Sequence, residues 1–403
     1  MKVAVVRETF PGERRVSLVP ATLPLLTKAG WQVLVESGAG QPASISDEEY
    51  QSAGAEIVPD RRTAFEQADV ILQVRCLGAN LEAGREDLDL LRNGQVLIGM
   101  CDPLGQPESI RELADKRATL FAMEMIPRIT RAQSMDVLSS MATIAGYKAV
   151  LQAADHLPKL FPMLMTAAGT LVAAKVFVIG AGVAGLQAIA SARRLGAVVQ
   201  AYDVRPVVKE QIESLGAKFV ELNLDTGDSE DKGGYAKQLS DEQVKMQQAQ
   251  LADYIAECDV CISTAAIPGR PSPLLVTADA VQRMRSGSVV VDLAAERGGN
   301  CELTQADQSI VEHGVTILGP TNLPSEVPLH ASQMYAKNLV TFLLHMTKEE
   351  KLDIDFKDEI IRDTLAAKDG QVQNQRLRDM LELGPLTQPA TTPPIDHLAS
   401  GDV

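Results

Sequence analysis

Gly180, Gly182 and Gly185 stand in the spacing GxGxxG directly after the apolar run 176–179, and the sequence that follows opens a predicted helix at Val183. Alone the pattern is weak; between a strand and a helix it specifies a chemistry. Gly180 permits a tight turn, Gly182 lets the backbone approach a pyrophosphate, and Gly185 lets helix and strand pack closely. The helix N-terminus can then offer N–H groups to an anion. Asp203, at the tip of the next predicted strand, accepts hydrogen bonds from adenosine ribose hydroxyls and repels a 2′-phosphate, so NAD is expected rather than NADP. Arg205 is a residue type that receives a 2′-phosphate; the alternative is a plain surface arginine.

A second group of chemically capable residues lies in RITRAQSMDVLSS, residues 128–140, where a plain linker needs none of them. Ser134 or Asp136 as a helix N-cap accounts for part of the pattern. Capping leaves Arg128 and Gln133 unexplained. DTGDSEDKGGYAKQLSDEQVKMQQ is a polar stretch inside an otherwise regular region, and suggests a mobile loop with Tyr235 near its tip. Ala265 and Ala266, closing ISTAA, leave room for a ring against a strand end. Cys258 and Cys261 form a CxxC, but ECDVCISTAA reads as a strand, where residues three apart face opposite sides, so a structural role is expected and no metal.

These groups need scaffolding, and the chain supplies it twice. KVAVV, ATLPLLTKAG and WQVLVES read as strand, helix, strand; apolar runs at 70–74 and 95–100 extend the series. The second block opens at KVFVIGAGVAG and continues through KFVEL, DVCISTAA, SVVVDLA and VTILG. Strands alternating with helices imply parallel sheets covered on both faces. The fold class expected is α/β, two doubly wound Rossmann-like domains joined by long helices at 137–156 and from about 328. The expected division is 1–136 with 328–383, then 137–327, then a flexible tail at 384–403 carrying GPLTQPATTPPIDHLASGDV.

At 403 residues the chain is too long for one ordinary core. A net charge of −15 repels a polyphosphate backbone, so nucleic acid is not expected as a partner. The 5 cysteines are scattered and odd in number, which fits a reducing compartment. MKVAVVRETF begins a strand without the features of a secretory signal, and the most apolar stretch, 160–174, is interrupted by Pro162 and Gly169 and falls short of the roughly 20 residues of a spanning helix. No direct membrane span is expected.

VRETFPGERRVSLVP, ESGAG and GAGVAG are similar to the superfamily of alanine dehydrogenases and proton-translocating nicotinamide nucleotide transhydrogenases. RITRAQSMDVLSS, DVRP, GGYAK, IPGRP and DLAAERGG, in that order, resemble the NAD(H)-binding component of the transhydrogenases, over residues 1 to about 380. The resemblance implies that Arg128, Gln133 and Asp136 hold NAD(H) from the first-domain side and reach the domain of a second nucleotide. Gln133 then meets the nicotinamide end, and Arg128 and Asp136 orient each other. It further implies cofactor contacts at Ser139, Gly180, Gly182, Val183, Gly185, Asp203, Val204, Arg205, Ala265 and Ala266, with Tyr235 closing over bound nucleotide. Where alanine dehydrogenases carry a catalytic lysine this chain has Arg75, and where they carry a catalytic histidine it has Asp102; Arg15, the family's substrate-carboxylate clamp, is retained, an interface or surface charge being the other reading. Oxidising an amino acid releases a proton and needs a positioned acid–base group; moving hydride between two nicotinamide rings does not.

The resulting expectation is an NAD(H)-binding subunit of a split transhydrogenase, NADP(H) being held by a partner subunit and protons moved by membrane-spanning subunits. It would be a homodimer on the inner face of the cytoplasmic membrane. The alternatives are an alanine-dehydrogenase-like amino-acid dehydrogenase and a non-catalytic NAD-binding module.

Overall fold

The computed structural model describes residues 1–223, 240–266 and 269–386. Its two large sheets define two lobes. In the first, six strands run parallel in the order Thr119–Ala122, Val96–Met100, Val70–Arg75, Lys2–Val5, Gln32–Glu36, Glu56–Val58. Val70–Arg75 is buried at every position, as a strand covered on both faces must be. The chain returns to this sheet late, when Leu365–Lys368 pairs antiparallel with Thr119–Ala122 and carries Gln371–Val372 beyond it. The turn between them, Asp369 at φ 52° and Gly370 at φ 82°, has the Asp-Gly sequence that favours a tight hairpin.

The second sheet has the order Lys218–Phe219, Val198–Tyr202, Lys175–Ile179, Val260–Ser263, Val289–Asp292, Val315–Leu318, Ser309–Glu312. All its neighbours are parallel except the last pair. The fold is therefore α/β with parallel-dominated sheets, the first extended at one edge by an antiparallel hairpin and the second by one antiparallel strand, neither of which the sequence pattern reveals. KFVEL contributes only Lys218–Phe219 to a ladder.

Two long helices join the lobes. Val137–His156 places Met141 and Ile144 in the first core and Ala149, Val150 and Ala153 in the second. It crosses the helix Val183–Arg194 at Gly146, where a Cβ would lie 2.1 Å from the Ala184 carbonyl oxygen. Any larger residue would push the glycine-turn helix away from its partner. Pro328–His345 is buried in the first core, its Phe342 ring set edge-on to Phe121 at 5.4 Å. The Tyr335 hydroxyl donates to the Gln73 carbonyl at 2.9 Å, which fixes this helix against the strand that bears Arg75.

The apolar stretch at 160–174 starts and ends in the second core, where Phe161 and Ala174 are buried. It forms a small hairpin, Leu164–Thr166 with Gly169–Leu171, leaving Met165 79% and Val172 72% exposed. No described helix is long and apolar enough to cross a membrane. The expectation that Cys258 and Cys261 face apart is corrected: Cys258 caps the helix Asp241–Glu257 and precedes the strand, so strand alternation does not reach it. Both thiols lie in one core cluster with Cys301, and the hydrogen bond with Cys258, together with burial, raises the Cys261 thiol well above its ordinary range. Among the described residues no group of three or more His, Cys, Asp or Glu is placed to hold a metal.

Candidate functional site in the cleft between the lobes

A cavity of about 1590 Å³ runs between the lobes and is lined from both. On its second-lobe wall Gly180 has φ 95°, and a Cβ there would meet Thr264 Oγ1 at 2.7 Å. A Cβ at Gly185 would lie 1.9 Å from the Gly180 carbonyl oxygen, so only glycine lets the helix start this close to the strand. At Gly182 a Cβ meets nothing within 4 Å; the space beside it belongs to the cavity. The helix Val183–Arg194 has no side-chain cap, which leaves its first N–H groups for another acceptor. That open turn is the feature an anionic pyrophosphate fits.

Asp203 follows the strand Val198–Tyr202 and is buried at the cavity wall. Its Oδ2 accepts from Ala181 N at 2.7 Å and from an Arg205 guanidinium nitrogen at 3.0 Å. Its Oδ1 accepts from Arg205 N at 2.8 Å and Nε at 3.0 Å. The carboxylate thus ties the end of the strand Val198–Tyr202 to the glycine turn. Arg205 is not the plain surface arginine of the alternative reading, since it folds back onto Asp203. Val183 and Val204 line the same cavity, as do Ala265 and Ala266. Asn300 holds that last segment: it accepts from Ala265 N at 3.0 Å and donates to the carbonyls of Ala265 and Pro273 at 2.8 Å each.

From the first-lobe side Arg128 and Ser139 reach the cavity. Asp136 is the N-cap of the long helix; its carboxylate accepts from Ser139 N at 2.9 Å and Ser139 Oγ at 2.6 Å. Gln133 sits exposed on the 3₁₀ turn Thr130–Met135, which Asn338 anchors by donating to the Ser134 carbonyl at 2.8 Å. Ser134 is therefore not the helix cap. Tyr235 lies outside the described residues.

The rest of the first-lobe wall is a charged network. Glu13 is buried and receives Arg15 Nε at 2.7 Å, Arg75 Nε at 3.1 Å, Asn322 Nδ2 at 3.2 Å and the Ser325 hydroxyl. Burial alone raises its pKa, but the two arginines and the hydroxyl outweigh that and bring it to about 2. Arg15, 3% exposed, is a buried partner of Glu13 rather than a surface charge. The Arg75 guanidinium also lies 4.3 Å from the Phe10 ring and 3.8 Å from Glu296 of the other lobe. Asp102 pairs across the cleft with Arg297. Glu8 accepts from Val74 N at 2.6 Å and Arg75 N at 3.0 Å; burial, then repulsion from Glu13, raises it to about 7.

Sequence reasoning misses Glu13, Glu296, Arg297, Asn300 and Glu124, which also lines the cavity. DLAAERGGN stands out as a motif without any of its side chains being assignable, and the two consecutive glycines, Gly298 at φ 93° and Gly299 at φ 83°, are the local signal that this segment turns sharply to bring Asn300 beside Ala265.

The family model described as the alanine dehydrogenase/PNT N-terminal domain matches residues 4–145, and the one for the C-terminal domain matches 149–375. A protein of Rhodospirillum rubrum named as the first portion of NAD(P) transhydrogenase subunit alpha is 44% identical over 94% of this chain and 99% of its own. The solved structure of transhydrogenase from Sinorhizobium meliloti matches with a TM-score of 0.81 at 44% identity, covering 93% of this chain and 100% of that one. Alanine dehydrogenase of Bacillus subtilis is 29% identical, over 92% of each chain. With both family domains matched in order, and with the transhydrogenase relative well ahead of the alanine dehydrogenase in identity, the chain belongs to the alanine dehydrogenase/PNT family, among its NAD(P) transhydrogenase alpha subunits.

Proposed function

We propose that this chain holds NAD(H) in the cleft and aims it for direct hydride exchange with NADP(H) on a partner subunit, as the NAD(H)-binding component of a proton-translocating transhydrogenase. The observation that carries the reading is the uncapped glycine turn with Asp203 hydrogen-bonded to it, facing Arg128 and Ser139 across one cavity. Bound NAD(H) would supply the ring carbon that gives or takes hydride. The residues 180–183 would cradle the pyrophosphate, with Gly185 setting the helix. Asp203, Val204 and Arg205 would meet the adenosine side, and ribose hydroxyls would share the Asp203 carboxylate with Arg205. Ala265 and Ala266 would leave space for the nicotinamide. Arg128, Gln133, Asp136 and Ser139 would position it from the other wall, and Tyr235 would cover it.

No step in this scheme asks the chain for a proton. That fits the first-lobe wall, where Arg75 and Asp102 are both engaged in ion pairs. An amino-acid dehydrogenase is less well supported, because the Arg15 guanidinium that would clamp a substrate carboxylate is already paired with Glu13. The name of the Rhodospirillum relative, a portion of an alpha subunit, supports partner subunits; these would include the membrane-spanning ones, keeping this chain peripheral on the cytoplasmic face. The exposed apolar hairpin around Met165 and Val172 supports a homodimer. Sheet membership supports a division into 1–136 with 328–383 and 137–327.

The test is a titration of the purified chain with NADH and with NADPH. NADH should bind at least about tenfold more tightly, roughly 1.4 kcal/mol, and Asp203→Ala should narrow the gap. Equal affinities in the unaltered chain would refute the NAD assignment.

A further inference from the structure

One short turn of the first lobe, residues 101–105, reaches across the cleft. Its Asp102 pairs with Arg297. A Cβ on Gly105 would lie within 2.4 Å of an Arg297 guanidinium nitrogen, and a Cβ on Gly269 would lie 2.7 Å from Leu104 Cβ. The guanidinium therefore lies against Gly105, and Leu104 rests against Gly269. Asp102, Leu104, Gly269 and Arg297 all line the cavity proposed to take the nucleotide.

The turn keeps this reach in left-handed backbone, uncommon outside glycine although aspartate tolerates it better than most residues, and here it is held by a neighbouring side chain. Asp102 has φ 45°. The side chain that holds it is Glu124, on the 3₁₀ turn Met123–Met125 that follows the neighbouring strand. A single oxygen, Oε1, accepts Cys101 N at 2.7 Å and Asp102 N at 2.8 Å. The other oxygen, Oε2, is buried without a hydrogen-bond partner among the described residues. Burial raises this carboxyl to about 7, beyond what the backbone hydrogen bonds to it can offset. A buried acid with an unmatched oxygen is costly to keep. The interaction it does make is the one that sets the turn.

We infer that Glu124 is a positioning residue for cleft closure: by holding the amides of Cys101 and Asp102 it aims the Asp102 carboxylate at Arg297, and so sets how firmly the two lobes close on a bound dinucleotide. The inference rests on the reading that the dinucleotide occupies this cleft. Glu124 lines the same cavity, but its Oε1 is taken up by the two turn amides and its Oε2 is buried, so its action runs through Asp102.

The experiment uses the full chain, NADH calorimetry, and hydrogen exchange of the segment 99–106. An ion pair this exposed shifts closure modestly, so Glu124→Ala should weaken NADH binding about three- to fivefold and speed exchange at Cys101 and Asp102. Glu124→Gln, whose amide oxygen still accepts both N–H groups, should restore affinity and protection. In an Asp102→Asn background Glu124→Ala should add no further loss, the signature of two residues acting on one contact. Additive losses, or full NADH affinity in Glu124→Ala, overturn the positioning role. Should Glu124→Ala fail to fold, Asp102→Asn and Arg297→Gln decide: each must weaken NADH binding with the 101–102 amides still protected, and unchanged affinity overturns the role. An unaltered chain that binds no NADH refutes the dinucleotide reading as well; one that binds NADH while the losses add refutes this inference alone.

Discussion

In the second lobe, strand, turn, helix N-terminus and the Asp203 carboxylate come from one unbroken stretch between Lys175 and Asp203. Across the cleft, the opposing wall is assembled from Arg15, Arg75, Asp102 and Glu124, with Glu8 and Glu13 behind it, and Asn322, more than 300 positions further along the chain, bonds Glu13 from the other segment. One wall is written locally and leaves its donors open. The other is written by topology and spends most of its charges on fixed ion pairs, within itself and with Glu296 and Arg297 opposite. A wall with open donors can bind; a wall with satisfied charges can shape and hold. Substitutions on the two sides should therefore fail differently.

The largest effect belongs to the charged wall. Glu13→Ala removes the buried carboxylate that both arginines bond, leaves Arg15 without its ion-pair partner, and should cost roughly 3–5 kcal/mol of stability in urea unfolding. If the loss were under about 1 kcal/mol, the network would be ornament and the contrast between the walls would collapse.

Next comes the loop proposed to face a partner. Gln133 is exposed and lies on a turn tethered at Ser134, so Gln133→Ala should leave NADH affinity within a few-fold while lowering hydride transfer by roughly 10² or more, as small misplacements of reacting atoms do. Single-turnover stopped flow with the NADP(H)-binding partner separates the two quantities. Unchanged transfer would reduce the turn to a capped linker.

The glycine turn offers a sharper cut within one motif. Gly182→Ala places its methyl in open space and should leave the melting temperature nearly unchanged, yet weaken NADH binding by about tenfold or more, roughly 1.4 kcal/mol. Gly185→Ala drives the same methyl onto the Gly180 carbonyl and should lower stability and binding together. Parallel behaviour of the two variants would mean that Gly182 is structural as well.

The smallest effect is a slope. Glu8 and Glu124 are both raised to about 7 from 4.5, so the folded state binds more protons than the unfolded one between those values. Their contribution is complete below about 4.5 and is lost as the pH rises through 7. Glu13, lowered to about 2, acts in the opposite sense: its contribution is present above 4.5 and lost as the pH falls through 2. Denaturant midpoints measured from pH 4.5 to 8 should therefore fall less steeply in Glu124→Gln than in the unaltered chain; identical profiles would contradict the raised carboxyl.

The same contrast explains what can be read in advance. The strands that flank the glycine turn, the two connecting helices and the residues of the turn itself follow from periodicity and short-range spacing, and the sequence announces them. The hairpin at 365–372 does not, because its partner strand lies more than 240 positions away at Thr119–Ala122; only its Asp-Gly turn is visible. Asp136 is readable as a cap because a cap bonds three residues along. Glu13 is not readable as the hub, since nothing near it in sequence foretells Asn322 and Ser325. Arg205 is visible, but which way it turns depends on a carboxylate geometry that spacing does not encode.

The late return of the chain to the first sheet has a consequence for synthesis. A ribosome delivers Thr119–Ala122 early, and the strand that covers its edge, Leu365–Lys368, emerges only after the whole second sheet has been made. The second lobe can finish as soon as it leaves the tunnel; the first must wait with an open, apolar edge of the kind that pairs with neighbouring chains. Nascent chains halted between 320 and 360 should be those most in need of a chaperone.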